Sequence, residues 1–224
     1  MELLTVIAVI GVLAAIAIPA IGHARVAVNR SQCASNMRQI GLALLGYAAD
    51  HRGALPPTTH TTAGLGIDGR YESWIYKLSP YLGDTDAVRI CPADREERQK
   101  RIRENDGLTS YVLNDLIFDP EDGAPAYNNI RAIPHPSRTM TLFVVSDDRT
   151  INRGWDHAHC GDWNSWPAIL ADIEPDRHRA GDRAANRLKG SANYLFIDGH
   201  VENIDAREMK ARVDSGRNPG AIPQ

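Results

Sequence analysis

The sequence predicts an α+β fold: a long N-terminal helix, partly transmembrane, packed on a small antiparallel sheet. Three observations carry that expectation. Residues 3–22 read LLTVIAVIGVLAAIAIPAIG and hold no charge. Helix-compatible sequence then continues to about residue 51 with an apolar stripe along one side. Beyond it the chain breaks into short runs separated by Gly, Pro, Asn and Asp, and one pair of runs is joined by Asp198-Gly199. The expected division is a spanning helix half over 1–24, its amphipathic continuation over 25–52, a soluble head over 53–213 and a flexible tail over 214–224.

The uncharged run meets the length of about 20 apolar residues that a bilayer core requires. A cleaved signal peptide would carry a basic segment before a shorter apolar core, whereas this chain begins Met-Glu. A buried core helix would be shorter and punctuated by polar residues. The reading is a membrane anchor, kinked at Pro19, which membrane helices tolerate. Met37, Ile40, Leu44 and Tyr47 then recur at spacings of three and four, one face of a helix. Gly53 and the Leu55-Pro56-Pro57 run supply the stop, so the whole helix would be about 75 Å long.

In the head, residues 72–82 predict a short amphipathic helix interrupted near Pro80. Residues 87–92 read as a brief strand or extended link, and 96–104 as a solvated helix or loop. Residues 111–118 have strand-like composition, and 139–146 (TMTLFVVS) are the best buried strand. Residues 192–197 and 200–204 flank Asp198-Gly199, predicting a hairpin with a type I′ turn. Residues 206–213 predict a terminal helix, and 214–224 a frayed end.

Composition limits the function. With 25 Lys plus Arg against 28 Asp plus Glu, the net charge of −3 offers no basic field for nucleic acid. Three cysteines exclude a disulfide-dense scaffold. Mean hydropathy over the whole chain is −0.34 despite the apolar run, so the head must be distinctly hydrophilic.

From Glu2 to Pro19 (ELLTVIAVIGVLAAIAIP) the chain resembles the N-terminal segment of type IV prepilins and type II secretion pseudopilins. Glu2 matches that group's characteristic glutamate and Pro19 its helix-kinking proline. The stretch from Cys33 to Pro57, IleCysProAlaAsp at 90–94 and AlaAsnTyrLeuPheIleAspGlyHisVal at 192–201 extend the likeness. Together they are similar to a large-headed prepilin-like family named for a His, nine residues and Asp-Gly. His178 is the matching histidine and Asp198-Gly199 the matching turn. The interval between them is longer here, as though 182–190 were inserted.

The resemblance implies a single-pass subunit of the inner membrane with its head in the periplasm or outside the cell. It also implies leader cleavage and methylation, assembly through Glu2 with identical or related subunits, and a role in a type IV pilus or in protein secretion. It predicts a basic leader, Gly and Phe-Thr-Leu encoded upstream of Met1. Arg25, Arg30 and Arg38 follow the span and, taken alone, favour a cytoplasmic head; a basic leader would reverse that bias.

Candidate chemistry is sparse. His157 and His159, at alternate positions of an extended chain, would face one side and are weak metal candidates. No paired Cys-x-x-Cys or His-Glu-x-x-His completes such a site, and a solvated loop is the preferred reading. Asp147 and Asp148 are weak oxygen candidates for Ca²⁺, which some pseudopilins resembling this chain bind, but no Asp-x-Asp-x-Asp-Gly run accompanies them and turn carboxylates are the preferred reading. Trp155, Trp163 and Trp166 read as a loop's own small core rather than a sugar platform. Cys91–Cys160 is the more plausible bridge in an oxidising compartment, because Cys33 sits near the membrane. Nothing resembles a nucleophile elbow, phosphate loop or dinucleotide turn, so the expectation is no enzyme. The alternative to a filament subunit is a stand-alone anchored binding protein, with carbohydrate as the candidate ligand.

Overall fold

A computed structural model describes residues 2–58, 74–83, 85–105, 107–118, 127–150 and 156–224. The first element is a single helix, α1 (Glu2–Asp50), with Pro19 inside it. It ends where Arg52 and Gly53 take positive φ, and the Gly53 amide donates to the Ala48 carbonyl at 2.7 Å. This is the left-handed termination that glycine makes inexpensive, and it falls where the sequence placed the stop.

Among its described residues the head carries six further α-helices and five strands. Short helices α2 (Trp74–Lys77) and α3 (Thr85–Val88) precede the longer α4 (Glu96–Glu104). Then come strand β1 (Tyr111–Asn114), helix α5 (Asp115–Phe118), strand β2 (Met140–Val144) and the two-residue β3 (His157–Ala158). Helix α6 (Trp166–Asp172), strands β4 (Ser191–Phe196) and β5 (Val201–Asp205) and helix α7 (Ala206–Asp214) complete the order.

The strands form one sheet, β3-β1-β2-β4-β5. Four of its strands are antiparallel neighbours, but β1 and β3 run parallel. The expected antiparallel sheet is therefore mixed. Parallel pairing needs a long crossover, and the chain between β1 and β3 supplies it by way of β2.

The sheet is covered on both faces. Tyr111, Leu113, Leu142, Val144, Leu195 and Ile197 face the second half of α1, where Cys33, Met37, Ile40, Ala43, Leu44 and Ala48 are buried. Val112, Phe143, Val145, Tyr194 and Phe196 face the other way, onto α6 and α7. Met140 joins that second face although it lies two residues from Leu142. A register shift between Met140 and Leu142 against β4 accounts for the switch, since one extra residue inverts the alternation.

Several local expectations need correction. Residues 87 and 88 close a helical turn rather than a strand, and strand character from Tyr111 stops at Asn114. The Asn114 side chain accepts from the Leu116 amide, and Asp115 accepts from it as well, which turns the chain into α5. The hairpin turn is not type I′. The Phe196 carbonyl accepts from Gly199 and its amide donates to His200, while only Gly199 (φ +91) is left-handed. That is the pattern of a three-residue loop closed by a glycine bulge.

The tail is not frayed either. Asn114 donates to the Gly220 carbonyl and Asn218 to the Cys160 carbonyl, at 2.8 and 2.7 Å, and Ile222 packs on the core facing α1.

Candidate functional site

The first half of α1 carries Val6, Ile7, Ile10, Leu13, Ile16 and Ile21, each more than half exposed. It is the one helix among the described residues long and apolar enough to cross a membrane, and its most apolar stretch is not buried at all by the head. The second half of the same helix is the head's own core element. The helix begins at Glu2, whose side chain, the expected assembly carboxylate, lies outside the described residues.

Where α1 enters the head, three side chains distant in sequence converge. Cys33 on α1, Cys91 in the loop after α3 and His178 before β4 place one ligand-type atom each within 4.8 Å of one another. Their surroundings fix each of them. The Cys91 amide donates to Ser110 Oγ at 2.8 Å, and Ser110 donates in turn to Asp94 at 2.5 Å. His178 is held by a backbone bridge to Ser191. Tyr111 Oη donates to Cys33 Sγ at 3.7 Å, and Asn193 Nδ2 lies 3.4 Å from His178 Nε2. Burial pushes the Cys91 thiol well above its ordinary pKa.

This geometry overturns the expected Cys91–Cys160 bridge. Cys91 lies in the core facing α1, and Cys160 in the core on the opposite side of the sheet. All three cysteines are free thiols. Nor does His178 meet Asp198. His178 pairs with the start of β4 and Asp198 follows its end, so a strand length of about 20 Å separates them. Asp198 instead accepts from the His200 amide and contacts its ring, 2.6 Å from Nδ1.

A second polar centre lies beyond the end of β2. Arg177, fully buried, meets Asp94 Oδ1 at 3.0 Å and Asp147 Oδ1 at 2.8 Å and donates to the Val145 carbonyl. Arg187 bonds Asp176 at 2.9 Å and pairs with Glu174, which Arg179 also reaches. Arg183 binds Asp148. Burial alone would weaken the Arg177 proton, but Asp94, Asp147 and Glu174 hold it and raise its pKa. Burial pushes Asp94 and Glu174 up, whereas for Asp147 the pull of Arg177, Arg98 and Arg95 outweighs burial and lowers the pKa.

Asp147 and Asp148 are thus turn carboxylates engaged by arginines. The other candidates are structural too. His157 is buried with Nδ1 3.1 Å from Asp156; His159 is half exposed, 3.7 Å from Asp172. Their rings meet edge to face, and no third ligand joins them among the described residues. Trp163 donates to Asp172 and Trp166 to the Asn186 carbonyl inside the second core, as a loop core should; Trp155 lies outside the described residues.

An apolar helix whose far half is the core of a mixed-sheet head defines the class: an α+β head on an N-terminal helical stalk. The family model described as "Protein of unknown function (DUF1559)" matches residues 22–153, and the chain belongs to that family. No curated protein and no solved structure matches the chain.

Proposed function

We propose that this protein is a membrane-anchored, pilin- or pseudopilin-like structural subunit, its head outside the inner membrane and its helices packed against those of other subunits. One observation carries the reading: α1 runs unbroken from an apolar half bare on every side into a half buried in the head. A tether alone needs no such continuity, because a flexible linker would suffice. A continuous helix fixes the head relative to its apolar half, which is what lateral assembly requires. The resemblance of residues 2–19 to prepilins, with Glu2 at the head of the helix and Pro19 within it, supports the same reading.

The test is cysteine cross-linking of the full chain in membranes, with single cysteines placed along 6–21. Cross-links with helical periodicity between identical chains, weakened by Glu2→Gln, are expected. Uncross-linked monomers would favour a stand-alone binding protein.

A further inference from the structure

We propose that Cys33, Cys91 and His178 form a zinc site that clamps the anchor helix to the head. Two sulfurs and an imidazole nitrogen within 4.8 Å of one another are a recognised donor set for this ion. Around tetrahedral zinc, with bonds of about 2.3 Å to sulfur, two thiolates stand about 3.8 Å apart. With Zn–N bonds of about 2.0 Å a sulfur and a nitrogen stand about 3.5 Å apart, so the cluster is wider than the bound set by about 1.3 Å at most, and three ligands leave the fourth position to a water.

Charge selects the ion. Cys33 and Cys91 are fully buried and His178 nearly so. A buried site must come close to neutrality, and two thiolates with a neutral imidazole balance a dication. A monovalent soft ion would leave a net negative charge. The imidazole also lacks full satisfaction: Nδ1 has no hydrogen-bond partner among the described residues, while the rest of the ring meets Asn193 Nδ2 at 3.4 Å from Nε2 and interacts with Cys33. A metal–nitrogen bond removes the cost of such a buried nitrogen.

The supporting shell is already built. Tyr111 donates to Cys33, as an outer partner of a thiolate ligand should. Asn193, fixed by the Arg30 carbonyl and by Asn203, turns a donor toward His178, so it packs beside the ring and serves neither as a ligand nor as an acceptor for its N–H. Each ligand comes from a different part of the chain: the anchor helix, the loop after α3 and the entry to β4. Zinc bound there ties the stalk to two separate segments of the head, and its binding free energy becomes folding free energy. The inference is independent of whether the helices assemble into a filament.

The full chain, purified in detergent with reductant and then freed of metal, tests this by titration with Zn²⁺ and with Co²⁺. About one ion per chain is expected, with thiolate-to-cobalt charge-transfer bands and tetrahedral cobalt bands. Zinc should protect Cys33 and Cys91, but not Cys160, from alkylation. Cys160→Ser should keep the site, Tyr111→Phe should weaken it roughly 10- to 100-fold, and Cys33→Ser or His178→Gln should weaken it further. If a serine variant misfolds, the cobalt spectrum and alkylation pattern of the unaltered chain still decide. No uptake by the reduced chain, uptake that survives Cys33→Ser, or a Cys33–Cys91 disulfide in protein trapped directly from cells would each overturn the proposal.

Discussion

Asn193, buried in the middle of β4, donates from Nδ2 to the carbonyl of Arg30 on α1 at 2.9 Å. The same amide accepts from Asn203 on β5 at 3.0 Å. One side chain thus ties the helix to the sheet at the point where α1 leaves the head. Leucine would fill much the same volume but leave the Asn203 amide without this acceptor. Asn193→Leu should therefore cost about 1–3 kcal/mol, read by denaturant unfolding in detergent. An unchanged midpoint would show that the junction is held by apolar packing alone.

Arg177 offers a sharper case. Its guanidinium is enclosed by Asp94 and Asp147, all three fully or nearly buried. Removing the cation leaves two carboxylates facing each other without compensation. Arg177→Ala should destabilise the head by about 3–5 kcal/mol, and Arg177→Ala with Asp94→Asn and Asp147→Asn should recover part of that loss. No recovery would mean that the arginine acts through packing rather than charge.

The same cage sets a pH dependence of two signs. Asp147 is held below its ordinary pKa when folded, so its contribution is complete above about pH 4 and is lost as pH falls through the folded value. Asp94 and Glu174 are raised by burial and take protons more readily when folded. Their effect opposes: stability falls as pH rises from the ordinary carboxylate value toward the raised one. Stability measured between about pH 2 and 7 should therefore lose its acid-side drop in Asp147→Asn and flatten on the other side in Asp94→Asn. Identical profiles for both variants would contradict this assignment.

The fold was readable wherever one local signal dominated. The charge-free run, the Met37-Ile40-Leu44 stripe and the Gly53 stop each follow from a single periodicity or conformational preference, and each stands where the sequence put it. The hairpin was legible for the same reason, although its turn type was not: Asp198 stays outside the left-handed region, and a bulge at Gly199 closes the loop instead. What the sequence hid is what depends on distant neighbours. Cys91 turns toward Cys33 and His178 because the sheet lies between it and Cys160, and no spacing encodes that choice. Asp147-Asp148 looks like an oxygen site until Arg177 and Arg183 arrive from 30 and 35 residues further along the chain.

Gly41 marks the closest approach of the helix to the hairpin. A Cβ there would meet Leu195 Cδ1 at 2.9 Å and the Gly199 Cα at 3.3 Å. The leucine end can move, but the backbone of the turn cannot. Gly41→Ala gains helix propensity, about 1 kcal/mol, against a clash that costs about 1–3 kcal/mol. Gly41→Val should have a clear net cost, because its second branch reaches the turn. Thermal unfolding of the two variants checks the order: a valine variant as stable as the alanine one would mean that the helix and hairpin are not in tight contact.

The docked tail predicts a chemical phenotype as well as a stability change. Gly220 lies so close to the second core that an added Cβ would meet Cys160 Sγ at 2.9 Å and Trp163 at 3.0 Å. Asn114 and Asn218 fix the segment by donating to the Gly220 and Cys160 carbonyls. The tail therefore covers Cys160, whose thiol burial pushes well above its ordinary pKa. Ending the chain after Ser215 removes both the cover and two hydrogen bonds, leaving the buried Asn114 amide with the Met140 carbonyl as its remaining acceptor. A loss of about 1–3 kcal/mol is expected, together with alkylation of Cys160 at sub-denaturing conditions where the full chain is inert. Asn218→Ala should give a smaller shift in the same direction, since the segment keeps its bond to Asn114. Equal alkylation rates in the full and shortened chains would show that the second core is closed without residues 216–224, and that their contacts there are incidental.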